Sequence, residues 1–365
     1  MKQARPKKIA IFHNFMDNIG GAEIACLTLA KELEADIYTT NINKDKIEKM
    51  DFSAVKLKSI GNVPLNAPLR HQLALWKFRK LNLKNKYDFY IIGGDWAVSG
   101  AVNNKPNLWY VHSPIREIWD LYEYVRQNMV PWLVWPFFDL WVKYNRYLNR
   151  KYIKHVDKLV CNSKNTQGRI KKYLNKDALV INPPTETSKF YYKKTGDYWL
   201  SVNRLISHKR VDMQIKAFAK LPNERLIIVG SYEQSRHFQA YANYMEKIKP
   251  ENVEILNWVN HDKLIDLYAN CKGLIATAKD EDFGMTPVEA MASGKPVIAA
   301  NEGGYKETVI DDVTGKLIDN INVDKLVEAI KEIGRNPQSY KDACLKQAGK
   351  FDTKIFIEKI KGQIE

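Results

Sequence analysis

The chain has 365 residues, 45% hydrophobic and 27% charged, which is typical of a globular protein with room for two domains. Its four cysteines lie far apart without metal-site spacing, which argues against a disulfide framework or a zinc site and favours a cytoplasmic location. No apolar run reaches the roughly 18 residues of a membrane-spanning helix, and the first run is too short for a signal peptide.

The formal net charge of +15 is unevenly distributed. Residues 1–190 carry 31 Lys and Arg against 17 Asp and Glu, a net of +14, whereas residues 191–365 carry 26 against 25, a net of +1. This asymmetry indicates that the first half meets a polyanion: a membrane surface, a phosphate-bearing acceptor or nucleic acid. The alternative is that these surface charges serve only solubility and are unevenly distributed by chance.

The first half alternates short apolar runs with helical patterns. A strand is predicted at 8–15, then a loop ending in Gly20 and Gly21, and then a helix over 22–33. Further apolar runs, each followed by a polar or glycine turn, lie at 88–94, 108–113 and 158–163. Continuous apolar strands between helices predict a parallel sheet that is covered on both faces.

The second half repeats this rhythm. Helices are predicted at 211–221 and 262–271, and strands at 198–204, 225–231, 253–259, 273–278 and 296–300. The fold class is therefore α/β, with two doubly wound domains that we expect to face each other across a cleft. The Pro-Pro region at 181–197 marks the boundary. We place the domains at 1–188 and 189–350, with a closing helix in 351–365 that crosses back.

The stretch EDFGMTPVEAMASGKPVIAANEGG (281–304) is a candidate ligand site. Thr286 is a plausible N-cap with Glu289 three residues later, so one interpretation of Glu289 is a capping box. That interpretation does not explain Glu281 or the Phe-Gly-Met before the cap. A helix N-terminus with a glycine beside it binds anions, and nearby carboxylates accept hydrogen bonds from hydroxyls. A ligand that carries both phosphate and hydroxyl groups would suit this site, and a sugar nucleotide is such a ligand.

Two cations follow a predicted strand in SVNRLISHKRVD (201–212). Arg204 and Lys209 lie on a turn into a helix, where they could bind a diphosphate. The alternative is a basic turn that is exposed to solvent and binds no ligand. For this stretch taken alone, that alternative is favoured over a diphosphate site.

Together these stretches resemble the donor-binding half of retaining glycosyltransferases of family 4, which have the GT-B fold. Gly20-Gly21-Ala22-Glu23 and WYVHSPIREIWD (109–120) extend the resemblance to the first half. It implies that Glu281 contacts the donor sugar, Glu289 the ribose, and Arg204 and Lys209 the diphosphate. The remaining donor-site positions that it implies are Gly20, Gly21, Asn203, Gly230, Val259, Phe283, Gly284, Met285 and Thr286. Asn203 departs from the family, where a glycine is common.

The resemblance also assigns His112, which ends an apolar run before Ser113-Pro114, to the donor sugar as a hydrogen-bonding group. Its alternative is an ordinary structural histidine. No nucleophile stands out, which suits front-face transfer. No metal and no cofactor are expected, because the two cations and the helix dipole take that role.

Residues 128–154 are rich in tryptophan, phenylalanine and proline and are followed by Lys and Arg. Such a segment suits a membrane interface, whereas a core-facing helix pair is an equal alternative. The basic first half favours a peripheral protein on the cytoplasmic face of an anionic membrane.

EDFGMTPVEAM and YVHSPIREIWD further resemble mannosyltransferases that use GDP-mannose, and this resemblance implies transfer of mannose from GDP-mannose to a glycan or lipid-linked acceptor. A UDP-sugar donor is the main alternative, and a GT-B-like phosphorylase or epimerase, or an inactive sugar-binding relative, is less favoured. Nucleic-acid binding would leave 281–304 unexplained, so no nucleic-acid partner is expected.

Overall fold

The computed structural model describes residues 7–230, 236–256 and 259–365. The chain divides into two compact α/β units. Unit 1 comprises Met1–Asn182 together with Ile357–Glu365, and unit 2 comprises Pro183–Phe356. The division falls at the Pro183-Pro184 pair, a little before the boundary that the sequence suggests. The final residues group with unit 1, where Lys7 Nζ donates to the carbonyl of Ile364 at 2.7 Å.

Unit 1 is built on a seven-stranded parallel sheet in the order β3-β2-β1-β4-β5-β6-β7. Its strands are β1 (Ile9–Phe12), β2 (Asp36–Thr39), β3 (Leu57–Ser59), β4 (Phe89–Ile92), β5 (Asn107–Val111), β6 (Lys158–Cys161) and β7 (Leu179–Val180). The central strands β1, β4 and β5 are buried along their whole length, as a sheet covered on both faces requires.

Helices cover this sheet on both sides. They are α1 (Gly21–Glu32), α2 (Lys44–Glu48), α3 (Leu69–Lys80), α4 (Tyr122–Asn128), α5 (Trp135–Tyr152) and α6 (Lys164–Leu174), and a 3-10 helix spans Trp96–Val102. Both α3 and α5 pack on this 3-10 helix. The two helices therefore lie on the same side of the sheet.

Unit 2 has a six-stranded parallel sheet in the order β10-β9-β8-β11-β12-β13. Its strands are β8 (Tyr198–Val202), β9 (Arg225–Val229), β10 (Val253–Leu256), β11 (Leu274–Ala276), β12 (Val297–Ala300) and β13 (Gly315–Ile318). Its helices are α7 (Val211–Ala219), α8 (Arg236–Ile248), α9 (His261–Asn270), α10 (Met285–Ala292), α11 (Tyr305–Thr308), α12 (Val323–Gly334) and α13 (Lys341–Ala348). The chain closes with α14 (Thr353–Ile364), close to its predicted position.

Most predicted elements are present, with shorter strands than the apolar runs suggest. The predicted strands at 225–231 and 253–259 include Ser231, Asn257 and Trp258, which lie outside the described residues. Four strands were not predicted: β2, β3, β7 and β13. They are short or partly exposed, so they lack a long apolar run. Within the described parts of the chain, no helix is both long and apolar enough to cross a bilayer.

Candidate functional site

The strand order of unit 2 reverses direction between β8 and β11. Neighbouring strands whose connections leave to opposite sides create a crevice at their carboxyl ends, where ligands of open α/β sheets bind. The loop after β8 carries Asn203, Arg204 and Lys209, and the loop after β11 carries Glu281 and Gly284. Residues far apart in the sequence therefore meet at one point of the sheet.

An ion pair joins the two loops. Lys209 Nζ lies 2.5 Å from Glu281 Oε2, and both side chains are largely shielded from solvent. Two hydrogen bonds hold the loops together beside it: Thr277 Oγ1 donates to the Lys209 carbonyl at 2.8 Å, and Lys279 N donates to the His208 carbonyl at 2.8 Å. A cation for an anionic ligand and a carboxylate for a hydroxyl are thus positioned side by side.

A third loop, which follows β12, supports the Glu281 backbone. Gly304 N donates to the Glu281 carbonyl at 2.8 Å, and a Cβ on Gly303 would lie only 2.4 Å from that same oxygen. Glu302 of this loop accepts two hydrogen bonds from Arg210, at 2.8 and 3.2 Å. Sequence reasoning did not single out Glu302 or Arg210, although Asn-Glu-Gly-Gly was part of the conspicuous stretch.

The N-terminus of α10 differs from the prediction. The helix begins at Met285 with Gly284 as N-cap at φ +94°, so the prediction that Thr286 is the N-cap is wrong. A side chain at Gly284 would be strained, and its Cβ would lie 2.8 Å from the Tyr305 ring. The first N–H groups of a helix have no partners within it. Gly284 therefore leaves the Met285 and Thr286 end of α10 open to an anion.

Glu289 does not form a capping box. Its Oε2 accepts a hydrogen bond from the Tyr268 hydroxyl at 2.7 Å, so the capping interpretation is wrong. Desolvation raises the pKa of this carboxyl above its ordinary value, and the hydrogen bond from Tyr268 offsets that only in part. A desolvated carboxylate that accepts from one side chain in the described parts of the chain has capacity for further hydrogen-bond donors, such as the hydroxyls of a ligand.

We expect Glu289→Gln to raise the thermal stability of the ligand-free protein near pH 7.5. The raised pKa means that the folded state binds a proton more readily than the unfolded state, so Glu289 costs stability as the pH rises through its folded pKa. Glutamine can still accept from Tyr268. The melting temperature, measured from pH 4 to 8, should show a gain at high pH that vanishes below the ordinary glutamate pKa. A gain that does not change with pH, or one shared by Glu251→Gln on the surface, would contradict this.

Other predicted positions of unit 2 have mainly structural contacts. The Asn203 amide donates to Ser201 Oγ at 2.9 Å, which fills the turn. A Cβ on Gly230 would lie 2.5 Å from the Asn203 carbonyl, so glycine allows the ends of β8 and β9 to approach closely. Val259 and Phe283 pack on the core, and Phe283 is buried against Phe351. Phe283 could therefore offer a ligand only its backbone, whereas Arg204 is exposed.

The predicted residues of unit 1 lie at the carboxyl edge of its own sheet. Gly20 precedes α1 in an extended conformation, and its N–H donates to Glu23 at 2.9 Å. Gly21 is the exposed first residue of that helix. His112 follows β5 and is partly buried, with its ring 5.0 Å from that of Tyr110. Its carbonyl accepts from the Asn162 amide at 2.8 Å.

Sequence reasoning missed a polar cluster at this edge. His13 Nε2 lies 2.9 Å from Glu23, and the Asn14 amide donates to Asp95. Burial and then Glu117 raise the pKa of Asp95 to about 6. The Gly93-Gly94 pair before Asp95 is the sequence feature that could have indicated this cluster, because a Cβ on Gly94 would clash with Asn14. In the described parts of both units, no three His, Cys, Asp or Glu side chains are placed to hold a metal ion.

Comparison with known proteins places these observations in a family context. Residues 185–350 match the family model for glycosyl transferases group 1. The chain is 26% identical to the alpha-1,3/1,6-mannosyltransferase ALG2 of Candida glabrata, over 94% of this chain and 89% of the relative. It is 30% identical to an uncharacterized glycosyltransferase of Methanocaldococcus jannaschii, over 58% of each chain. The structure of Anabaena HepE in complex with UDP and glucose superposes with a TM-score of 0.79 at 18% identity, covering 98% of this chain and 99% of that one.

Proposed function

This chain belongs to the group 1 glycosyl transferases and has the GT-B fold, and from that premise we propose that it is a retaining mannosyltransferase that uses GDP-mannose. The observation that carries the proposal is the Lys209–Glu281 pair at the point where the strand order of unit 2 reverses, beside the glycine-capped start of α10. A diphosphate needs the cation and the helix N-terminus, and a sugar needs the carboxylate.

Each side chain of unit 2 has a role in this proposal. Lys209 and Arg204 neutralise the diphosphate as it leaves, together with the N–H groups at the start of α10. Glu281 accepts hydrogen bonds from the sugar hydroxyls, and Glu289 from the ribose hydroxyls. Fixed charges that face the developing negative charge of the leaving group lower the barrier without reorganisation. Two cations and a helix dipole supply that charge, so we propose that the enzyme requires no metal and no cofactor.

We propose that unit 1 binds the acceptor. The roles that the family resemblance implies for its residues are a hydrogen bond from His112 to the donor sugar and room for the donor at Gly20 and Gly21. Their position at the carboxyl edge of the first sheet supports these roles, since that edge is where doubly wound domains bind ligands.

The choice of mannose rests on similarity to a relative, and guanine is proposed with it because the sequence resembles mannosyltransferases that use GDP-mannose. The Candida glabrata relative, which spans nearly the whole chain, is described as a mannosyltransferase. A UDP-sugar is the second candidate, because the structurally similar HepE was solved with UDP and glucose.

We propose a glycan or lipid-linked acceptor and a cytoplasmic, peripheral location. A phosphorylase or epimerase activity would instead show phosphate dependence or donor turnover without acceptor.

A thermal-shift panel tests the donor. GDP and GDP-mannose are expected to raise the melting temperature in the presence of EDTA, because a ligand at 100 times its dissociation constant stabilises the folded state by about 2.7 kcal/mol. UDP, ADP, UDP-glucose and UDP-N-acetylglucosamine serve as comparisons. Stabilisation by the UDP ligands alone would retain the glycosyltransferase and exclude GDP-mannose. No shift with any nucleotide at millimolar concentration would contradict the proposed donor site.

A further inference from the structure

Helix α5 has two apolar faces, and unit 1 covers only one of them. Val142, Leu148 and Tyr152 are buried in the unit 1 core, and Phe138 and Trp141 pack partly against it. The opposite face is open to solvent: Phe137 is 74% exposed, Leu140 66% and Tyr147 60%. A helix that is apolar on a second, solvent-facing side usually marks an interaction surface.

The exposed side chains form one continuous line. Phe137, Leu140, Tyr144, Tyr147, Lys151 and Lys154 follow each other at alternating steps of three and four residues, and all are exposed. This spacing places the first five of them on a single face of α5, and Lys154 follows in the 3-10 turn Ile153–His155. The line, which we call the α5 stripe, begins after the turn of Trp132 and Leu133, which are 70% and 67% exposed.

Polarity increases steadily along the α5 stripe. It starts with Phe137 and Leu140, continues with two tyrosines and ends with two lysines, and exposed cations flank it at Lys143 and Arg150. Trp132 and Leu133 precede its apolar end. Between 128 and 154 Asp139 is the single acid, and it binds Arg126 at 2.8 Å. Apolar, then amphipathic aromatic, then cationic groups match the acyl chains, interface and phosphates of a lipid leaflet.

A second exposed line runs along α3 in the same unit. Leu69 and Trp76 of this helix are 64% and 47% exposed, and the exposed Lys80 follows at the next helical step. Leu65, which is 70% exposed, lies in the loop just before the helix. His71 of α3 stacks on Trp96 with ring centroids 4.9 Å apart, and Trp141 of α5 lies 5.9 Å from the same tryptophan. The two helices therefore flank one ring and pack on the same hydrophobic core of unit 1.

We propose that the α5 stripe, extended by Trp132 and Leu133 and assisted by the α3 line, docks unit 1 onto an anionic lipid bilayer. Helix α5 is about 27 Å long at 1.5 Å per residue, and its apolar end enters the interface while Lys151 and Lys154 contact lipid phosphates. Charge complementarity selects this partner, since residues 1–190 carry a net charge of +14. The inference specifies the surface for the proposed peripheral location and does not depend on the identity of the donor.

Vesicle co-sedimentation of the full chain tests the surface. We expect binding to phosphatidylcholine vesicles that contain phosphatidylglycerol, and little binding to phosphatidylcholine alone. Phe137→Ser/Leu140→Ser should weaken binding at least tenfold, since each loses buried apolar area. Lys151→Gln/Lys154→Gln should weaken it by about tenfold to thirtyfold at low salt. The controls in unit 2 are Val313→Ser/Leu345→Ser and Lys331→Gln/Lys346→Gln, which alter other exposed apolar and cationic side chains and should have no effect.

An environment-sensitive fluorophore adds a structural readout. The four native cysteines are buried, so a cysteine introduced on the surface can be labelled selectively. A label at Phe137→Cys should shift to the blue with anionic vesicles, a label at Lys154→Cys should shift less, and one at Val313→Cys should not shift.

Three outcomes would overturn the proposal: equal binding of the stripe and control variants, labels that shift equally at all three positions, or a dimer that Phe137→Ser/Leu140→Ser dissociates without any vesicle binding. The last result would assign the α5 stripe to a second copy of the chain. The nucleotide-induced thermal shift of each variant is measured in parallel. Failure of the donor proposal therefore remains separable from failure of the docking proposal.

Discussion

Replacing Glu281 by alanine is expected to lower the turnover number by about 10²–10³-fold, the effect of removing one preorganised group that stabilises the transition state. The carboxylate is positioned by the Gly304 N–H on its own backbone and by Lys209 at its side chain, so its contact with the sugar is available without rearrangement. Affinity for GDP should be retained or should increase, because Lys209 no longer shares its charge with Glu281. Steady-state kinetics and nucleotide titration measure the two effects separately.

The conservative Glu281→Gln variant separates the contribution of the negative charge of Glu281 to turnover from that of its size. It keeps the size of the side chain and one acceptor oxygen but removes the negative charge beside Lys209. Turnover by Glu281→Gln should lie between wild type and Glu281→Ala. Glu251→Gln, on the surface of unit 2, is the matched control and should be unchanged. Near-normal turnover by Glu281→Ala would show that the assigned role of this carboxylate is wrong.

Lys209→Ala should instead weaken the binding of GDP, by about tenfold to a hundredfold, because hydrogen bonds to charged groups contribute about 1.5–3 kcal/mol. The variant also leaves Glu281 facing the diphosphate without its cation, which adds electrostatic repulsion. Isothermal titration with GDP measures the loss. The double variant Lys209→Ala/Glu281→Ala should bind GDP better than Lys209→Ala alone, because the repelling carboxylate has been removed.

Lys220→Ala provides the control for this loss. Lys220 forms an ion pair of 2.7 Å with Asp324, which is close in length to the Lys209–Glu281 pair. The side chains of Lys220 and Asp324 are, however, both more than half exposed. Exposed pairs contribute little, so GDP binding and stability should change by less than about 1 kcal/mol. If Lys209→Ala bound GDP as tightly as Lys220→Ala, the diphosphate would not lie at the junction of the β8 and β11 loops.

Glu281 and Glu289 show where sequence reasoning succeeded and where it could not. The residues of 281–304 were recognisable because a glycine, a helix start and two glutamates are local features of one stretch. The partner of Glu281 lies 72 residues earlier, and the partner of Glu289 lies 21 residues earlier. A capping box was the local interpretation of Glu289, and it failed because α10 begins at Met285, which places Glu289 beyond the third helical position; its carboxylate accepts from Tyr268 instead.

The sequence by itself determined the alternation of strand and helix, the two α/β units and the position of α14, because apolar periodicity and turn residues act over a few positions. Only the tertiary structure decided which loops meet, since the order of strands in a sheet depends on crossovers between distant segments. It also decided which face of α5 is covered. Residues 128–154 are apolar on both sides of the helix, and periodicity cannot tell a face that packs on the sheet from one that remains exposed to solvent.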